Sequence, residues 1–191
     1  VVEQGFGGAL DEKAIDPIAV FTQNINASKV DIFQRREVEQ LVTLTADGGA
    51  KVERRVTLHN DTPDGAFFDS TQKGYFTAYA GNNVMVYRPP TAVTAGAVSI
   101  KGDARSYPDG LGGYFYRWRG LIRPKGSQTF VLRYTLPPGT YPDGVYRGLA
   151  QPQPMLKPAT LTVRVTGADG TQAAPVTVTV DAPIDIVVPT R

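Results

Sequence analysis

No cysteine occurs in the 191 residues, and histidine and tryptophan occur once each. A disulfide framework, a thiolate metal site and a cysteine nucleophile are thereby excluded. Any imidazole chemistry would have to run through His59 alone. No run approaches the roughly 18 apolar residues that a membrane-crossing helix needs. Net charge is small as well: 20 Lys and Arg against 18 Asp and Glu leave +2. A general nucleic-acid binder concentrates its basic residues far more heavily. Val1 opens no signal peptide, and the chain is expected to be a piece of something longer.

What is abundant is turn chemistry. Twenty glycines and fifteen prolines are spread along a chain that is 41% hydrophobic. They punctuate short β-branched runs, the composition of a sandwich rather than a helical bundle. From Val38 the pattern alternates: Val38, Val42, Leu44 and Ala46 share one face, with Glu39 and Thr43 on the other. Asp47-Gly48-Gly49 should close a hairpin whose second strand turns Val52, Val56 and Leu58 inward and Glu53, Arg55 and Thr57 outward, ending at Asn60-Asp61-Thr62-Pro63.

Further strands are expected over 75–80, 84–88, 98–101, 114–122, 128–136, 145–150, 160–166 and 176–180, each bounded by turn residues. In Pro124-Lys125-Gly126-Ser127, proline sets an early φ and Gly126 is expected to take the later positive one. Pro-Asp-Gly recurs at 63–65, 108–110 and 142–144 and reads as three turns, since the similarity does not extend through whole strands. One helical turn or two is expected over Lys29 to Phe33, with Ser28 as its cap. The expected fold is an all-β, antiparallel immunoglobulin-like sandwich of roughly ten strands with one short helix near the N-terminus. Residues 1–35 would pack as an N-terminal segment on a sandwich of residues 36–191.

Candidate sites are few. His59 alternates outward beside a turn, and no Gly-x-Ser-x-Gly motif offers it a nucleophile, so no catalytic residue is nominated. Paired carboxylates of a glycan hydrolase would be assembled in space, and nothing in the spacing singles out a pair. Asp61, Asp64 and Asp69 match no calcium loop and read better as a solvated turn; no metal or cofactor is expected. Gly5-Phe6-Gly7-Gly8 lacks the spacing of a dinucleotide loop, and Asn26-Ala27-Ser28 matches a glycosylation acceptor only formally.

The stretch from Tyr114 to Arg123 is the most informative. Alternation puts Tyr114, Tyr116, Trp118 and Ile122 on one face, expected to be core; the other reading is a stacking platform for sugar rings. Phe115, Arg117, Arg119, Leu121 and Arg123 fall on the opposite face. Guanidinium groups in such a row could meet phosphate or carboxylate groups bidentately, with Phe115 adding an apolar contact. Acidic residues on a neighbouring strand could instead neutralise them.

Asn24 to Phe33, Thr57 to Pro63, Val84 to Pro89 and the Gln151-Pro152 segment running to Val163 resemble, in that order, stretches of a family of bacterial envelope proteins of unknown function. Gly7-Gly8-Ala9-Leu10 resembles the point where that family's preceding domain ends, and residues 175–191 match least. The resemblance implies the extracytoplasmic C-terminal part of a protein anchored by an N-terminal membrane helix, in a surface-polysaccharide context. On this basis the expected role is a non-catalytic scaffold or protein-interaction module of the cell envelope. A module binding an anionic surface polysaccharide, or a glycan-acting hydrolase or transferase, are the alternatives.

Overall fold

The structure is a computed structural model and describes residues 14–26, 28–66, 75–96, 105–108, 112–153 and 155–190. Among the described residues twelve strands form two six-stranded sheets. The first sheet contains β1 (Pro17–Asn24), β4 (Ala80–Arg88), β6 (Arg105–Pro108), β7 (Tyr114–Ile122), β9 (Val145–Gln151) and β12 (Ile184–Pro189), in the order β12-β9-β1-β4-β7-β6. The second contains β2 (Gln34–Leu44), β3 (Ala50–Asn60), β5 (Thr94–Gly96), β8 (Ser127–Leu136), β10 (Ala159–Thr166) and β11 (Val176–Val180), in the order β11-β10-β2-β3-β8-β5.

Both sheets are mixed, which corrects the antiparallel expectation. β1 runs parallel to β9, and β2 runs parallel to β10. The other pairings are antiparallel. A period-two pattern reports that a strand has a buried face, and says nothing of the direction of its neighbour. β1 lies inside the first sheet, between β9 and β4, so the chain from Pro17 onward is built into the sandwich.

One core joins the sheets. Ile18, Val84, Val86, Trp118 and Tyr146 from the first meet Val38, Val56, Phe130, Leu132 and Leu161 from the second. Trp118 is 1% exposed and its ring centroid lies 5.7 Å from that of Phe130 across the interface. The row containing Trp118 and Ile122 is therefore core; Tyr116 packs against it and Tyr114, at the strand end, is exposed.

Several local expectations change. No α-helix is present among the described residues; the segment after Ser28 is a single 3-10 turn, Val30–Phe33. Ser28 does not cap it, because Lys29 holds the cap position and the buried Ser28 Oγ has no hydrogen-bond partner. Residues 75–79 are turn rather than strand, with Tyr75 and Phe76 exposed. Ala46 lies beyond the end of β2 and is exposed, not core. Between β7 and β8 the positive φ belongs to Lys125 (57°), while Gly126 is required because a Cβ there would stand 3.0 Å from the Arg123 carbonyl oxygen. Gly65 and Gly144 take positive φ in two of the Pro-Asp-Gly turns. Asp109 and Gly110 of the third, the expected strand over 98–101, Asp69 and Gly5 to Leu10 lie outside the described residues.

The core also encloses a polar knot. Asp16, immediately before β1, and Arg54, on β3, are both fully buried, 3.2 Å apart. Asp16 also accepts hydrogen bonds from the Tyr134 and Tyr146 hydroxyls (2.5 and 2.8 Å) and from Gln40 (2.8 Å). Arg54 donates to Gln40, to the Tyr134 hydroxyl and to the Tyr87 carbonyl, each at 2.8 Å. Burial pushes both phenols well above their ordinary range; the neighbouring Asp16 carboxylate acts in the same direction. Removing one partner of a buried pair strands the other charge at a cost of about 3–5 kcal/mol. Asp16→Ala should therefore lower unfolding free energy by about that amount in urea titration; a loss below about 1 kcal/mol would show that the knot is not holding the sheets.

Candidate functional site

The outer face of the second sheet and the β6–β7 edge of the first carry arginine in opposite ways. On the second sheet, cross-strand pairing places acids and bases side by side. Arg55 reaches Glu53 (2.5 Å) and Glu39 (3.4 Å), Arg133 reaches Glu53 (2.5 Å), and Arg164 reaches Glu39 (3.1 Å). Partial burial would raise the Glu53 carboxyl, but the bonds from Arg133 and Arg55 outweigh it and hold it below the ordinary range. Arg35 pairs with Glu37 and Asp61, and His59 Nε2 lies 3.3 Å from Glu37. The single histidine thus sits in this ladder of surface charges. Asp61 belongs to it too, and no cluster of three metal-ligating groups occurs among the described residues.

On the first sheet Arg147 of β9 is likewise held by Asp143 (2.5 Å), but on the β6–β7 side such pairing is absent among the described residues. β7 carries Phe115, Arg117, Arg119 and Leu121 on its outer face, as strand alternation requires. The neighbouring β6 places Arg105 directly opposite Arg117, and Tyr107 opposite Phe115. Like charges opposed across a ladder repel. Among the described residues no carboxylate lies within ion-pairing distance of Arg105, Arg117, Arg119 or Arg123. Arg117 is steadied by Tyr107, whose ring centroid lies 4.5 Å from its guanidinium carbon and whose hydroxyl accepts a bond from Nη2. Arg119 and Arg123 are exposed.

Phe115 is half-buried, tilted against Tyr87 at 5.2 Å and edge-on to Phe21 at 5.9 Å. Phe115, Arg117 and Arg119 therefore share one surface, while Arg123 lies one residue past β7, in the turn that leads to β8. Arg105 and Tyr107 were not foreseen, because β6 is four residues long and shows no apolar alternation. Chemically, the surface offers cations fixed on rigid strands beside an aromatic floor, a combination suited to planar oxyanions and the apolar faces of rings.

No protein-family model and no curated protein sequence matches the chain. Among solved structures, a candidate protease from Parabacteroides distasonis ATCC 8503 aligns at 14% identity with a TM-score of 0.37. That alignment covers 83% of this chain and 36% of the other.

The arginine pair has a measurable consequence. Arg105→Glu should create an ion pair with Arg117 and raise unfolding free energy by about 0.2–1 kcal/mol at low salt. A net loss of stability on chemical denaturation would mean that Arg105 already has a compensating partner.

Proposed function

We propose that this chain is a non-catalytic recognition module that holds an anionic polymer, of the acidic-polysaccharide class, on the outer face of the first sheet. One observation carries the reading: Arg105 and Arg117 stand opposed with no carboxylate between them among the described residues. On the second sheet, by contrast, Arg55, Arg133 and Arg164 are each neutralised by a glutamate. A fold that pairs surface arginines elsewhere, Arg147 with Asp143 included, and leaves them opposed at the β6–β7 edge is arranged there for charge supplied from outside. Non-catalysis is argued from access and pairing: the cluster around Asp16 and Arg54 is fully buried beyond the reach of a substrate, and the surface acids Glu39 and Glu53 are tied up by arginines.

The wider setting follows the resemblance of the sequence to bacterial envelope proteins. In that setting the module is an immunoglobulin-like sandwich, extracytoplasmic, part of a membrane-anchored protein, and in contact with surface polysaccharide or a neighbouring envelope protein. Arg117, Arg119 and Arg123 bind the polymer's acidic groups, Arg105 extends the row and Phe115 lies under a sugar ring.

The test is retention of the protein on immobilised polygalacturonate and heparin across a salt gradient. Wild type should be retained and elute as salt shortens the screening length below about 8 Å. The triple variant Arg117→Ser, Arg119→Ser, Arg123→Ser should flow through, while Arg55→Ser with Arg133→Ser on the other face should behave as wild type. Equal retention of both variants, or elution indifferent to salt, would reject the arginine surface and leave a scaffold role.

A further inference from the structure

At one end of the sandwich the core changes character on three strands at once. Inward positions run Val20, Thr22, Asn24 on β1, Val84 then Asn82 on β4, and Val38, Arg36, Gln34 on β2. Between them opens a cavity of about 220 Å³, lined by Thr22, Asn24, Asp31, Gln34, Asn82 and Gln153, with Met155 and Leu156 on one side. It is separate from the arginine surface. We propose that this cavity is a binding site for one neutral sugar ring or a polyol of that size.

The polar groups hold one another in fixed orientations. Asn24 Nδ2 donates to one oxygen of Asp31 at 2.9 Å, and Gln34 Nε2 donates to the other. Asn82 Nδ2 donates to Gln34 Oε1 at 3.0 Å. Gln153 is clipped to the edge of β1 like a piece of backbone: its Oε1 accepts from the Thr22 amide (2.8 Å) and its Nε2 donates to the Thr22 carbonyl (2.7 Å). The buried Arg36, which has no acidic partner among the described residues, donates from Nη1 to Gln153 Oε1 at 2.7 Å and so locks the Gln153 side chain in place.

Bonding capacity remains after this mutual support. Asn82 Oδ1 accepts no bond, and Gln34 Nε2 and Gln153 Nε2 each keep a second proton, among the described residues. Each Asp31 oxygen, having taken one bond, can take another. Free donors and free acceptors thus both remain among the lining residues, and vicinal hydroxyls, each donor and acceptor together, can satisfy both. Met155 and Leu156 offer an apolar wall to the C–H face of a ring.

Size and charge narrow the class. Drug-sized ligands need about 300 Å³ or more, so this volume suits a single ring of about a dozen heavy atoms. Asp31, with no cation among the lining residues, disfavours an anion. One carboxylate is too few for calcium, which takes about six to eight oxygen ligands. The site shares no lining residue with the arginine surface and does not depend on it.

Amide chemical shifts report on it directly. Titration of labelled protein with methyl glucoside, methyl galactoside and glucuronate should move the signals of Thr22, Asn24, Asn82 and the Gln34 and Gln153 side-chain amides with a neutral sugar, and less with glucuronate. Asp31→Asn should weaken the neutral-sugar response about tenfold. Leu156→Ala, at an exposed position on which folding does not rely, should weaken it several-fold and serves if Asp31→Asn unfolds. The triple arginine variant should leave the response unchanged, which separates failure of this site from failure of the polymer surface. Absence of shifts at high millimolar neutral sugar would overturn the proposal. So would shifts that survive the folded cavity variants, or glucuronate binding as tightly as glucoside.

Discussion

The sandwich depends on one buried ion pair. Asp16 enters from the start of β1 in the first sheet and Arg54 from the middle of β3 in the second, and neither side chain reaches solvent. An isolated charge in such a place would be expelled or neutralised. Here each oxygen and most guanidinium protons have partners drawn from β2, β4, β8 and β9, so the knot fixes the relation of both sheets at once. A hydrophobic filling of the same volume could be as stable or more so. What it could not do is tell β1 where to lie, because apolar strands slide where a hydrogen-bonded carboxylate does not. β1 takes its place between a parallel and an antiparallel neighbour with Asp16 at its head.

The signal for this knot is present in the sequence, though in a form easy to pass over. Gln40 lies between Val38 and Val42, and Arg54 between Val52 and Val56, so period two already turns both inward. The observed register sets them opposite each other. Asp16 hides better, because Asp before Pro looks like an exposed turn. The β2–β3 hairpin and the bounds of β7 and β11 were legible, since long alternating runs framed by turns determine them. β12 carried Ile184, Ile186 and Val188 in alternation, but Pro183 and Pro189 disguise it. The parallel pairs were not legible at all, since they join segments more than a hundred residues apart and leave no local mark.

The same limit explains what could be read of the arginine surface. Alternation sufficed to place Phe115, Arg117 and Arg119 together, because all three lie on one long strand. Whether an arginine is neutralised depends on the strand beside it, and that is a matter of sheet order. Arg55 and Arg119 look alike in the sequence, yet Arg55 lies near glutamates while Arg119 lies opposite Asn83. The local charge of a surface is thus set by topology more than by composition, and a net charge of +2 conceals a marked difference between the second sheet's face and the β6–β7 edge.

Sheet ends follow a related logic. β9 pairs with β1 only as far as Ala19, and Pro152 prevents the ladder from going further. The next backbone groups of β1 would be left bare, and Gln153 supplies a side-chain amide in place of a strand. The remedy needs a second residue to hold it, which accounts for a buried arginine with no acid: burial draws Arg36 down to about 10, still charged at neutral pH, and its Nη1 fastens both Gln153 and the Val20 carbonyl. Closing the ladder with amides instead of a strand leaves a gap where strand side chains would have packed. The polar cavity beside β1 is thus the geometric consequence of Pro152, and its lining of amides follows from the backbone that those amides must satisfy.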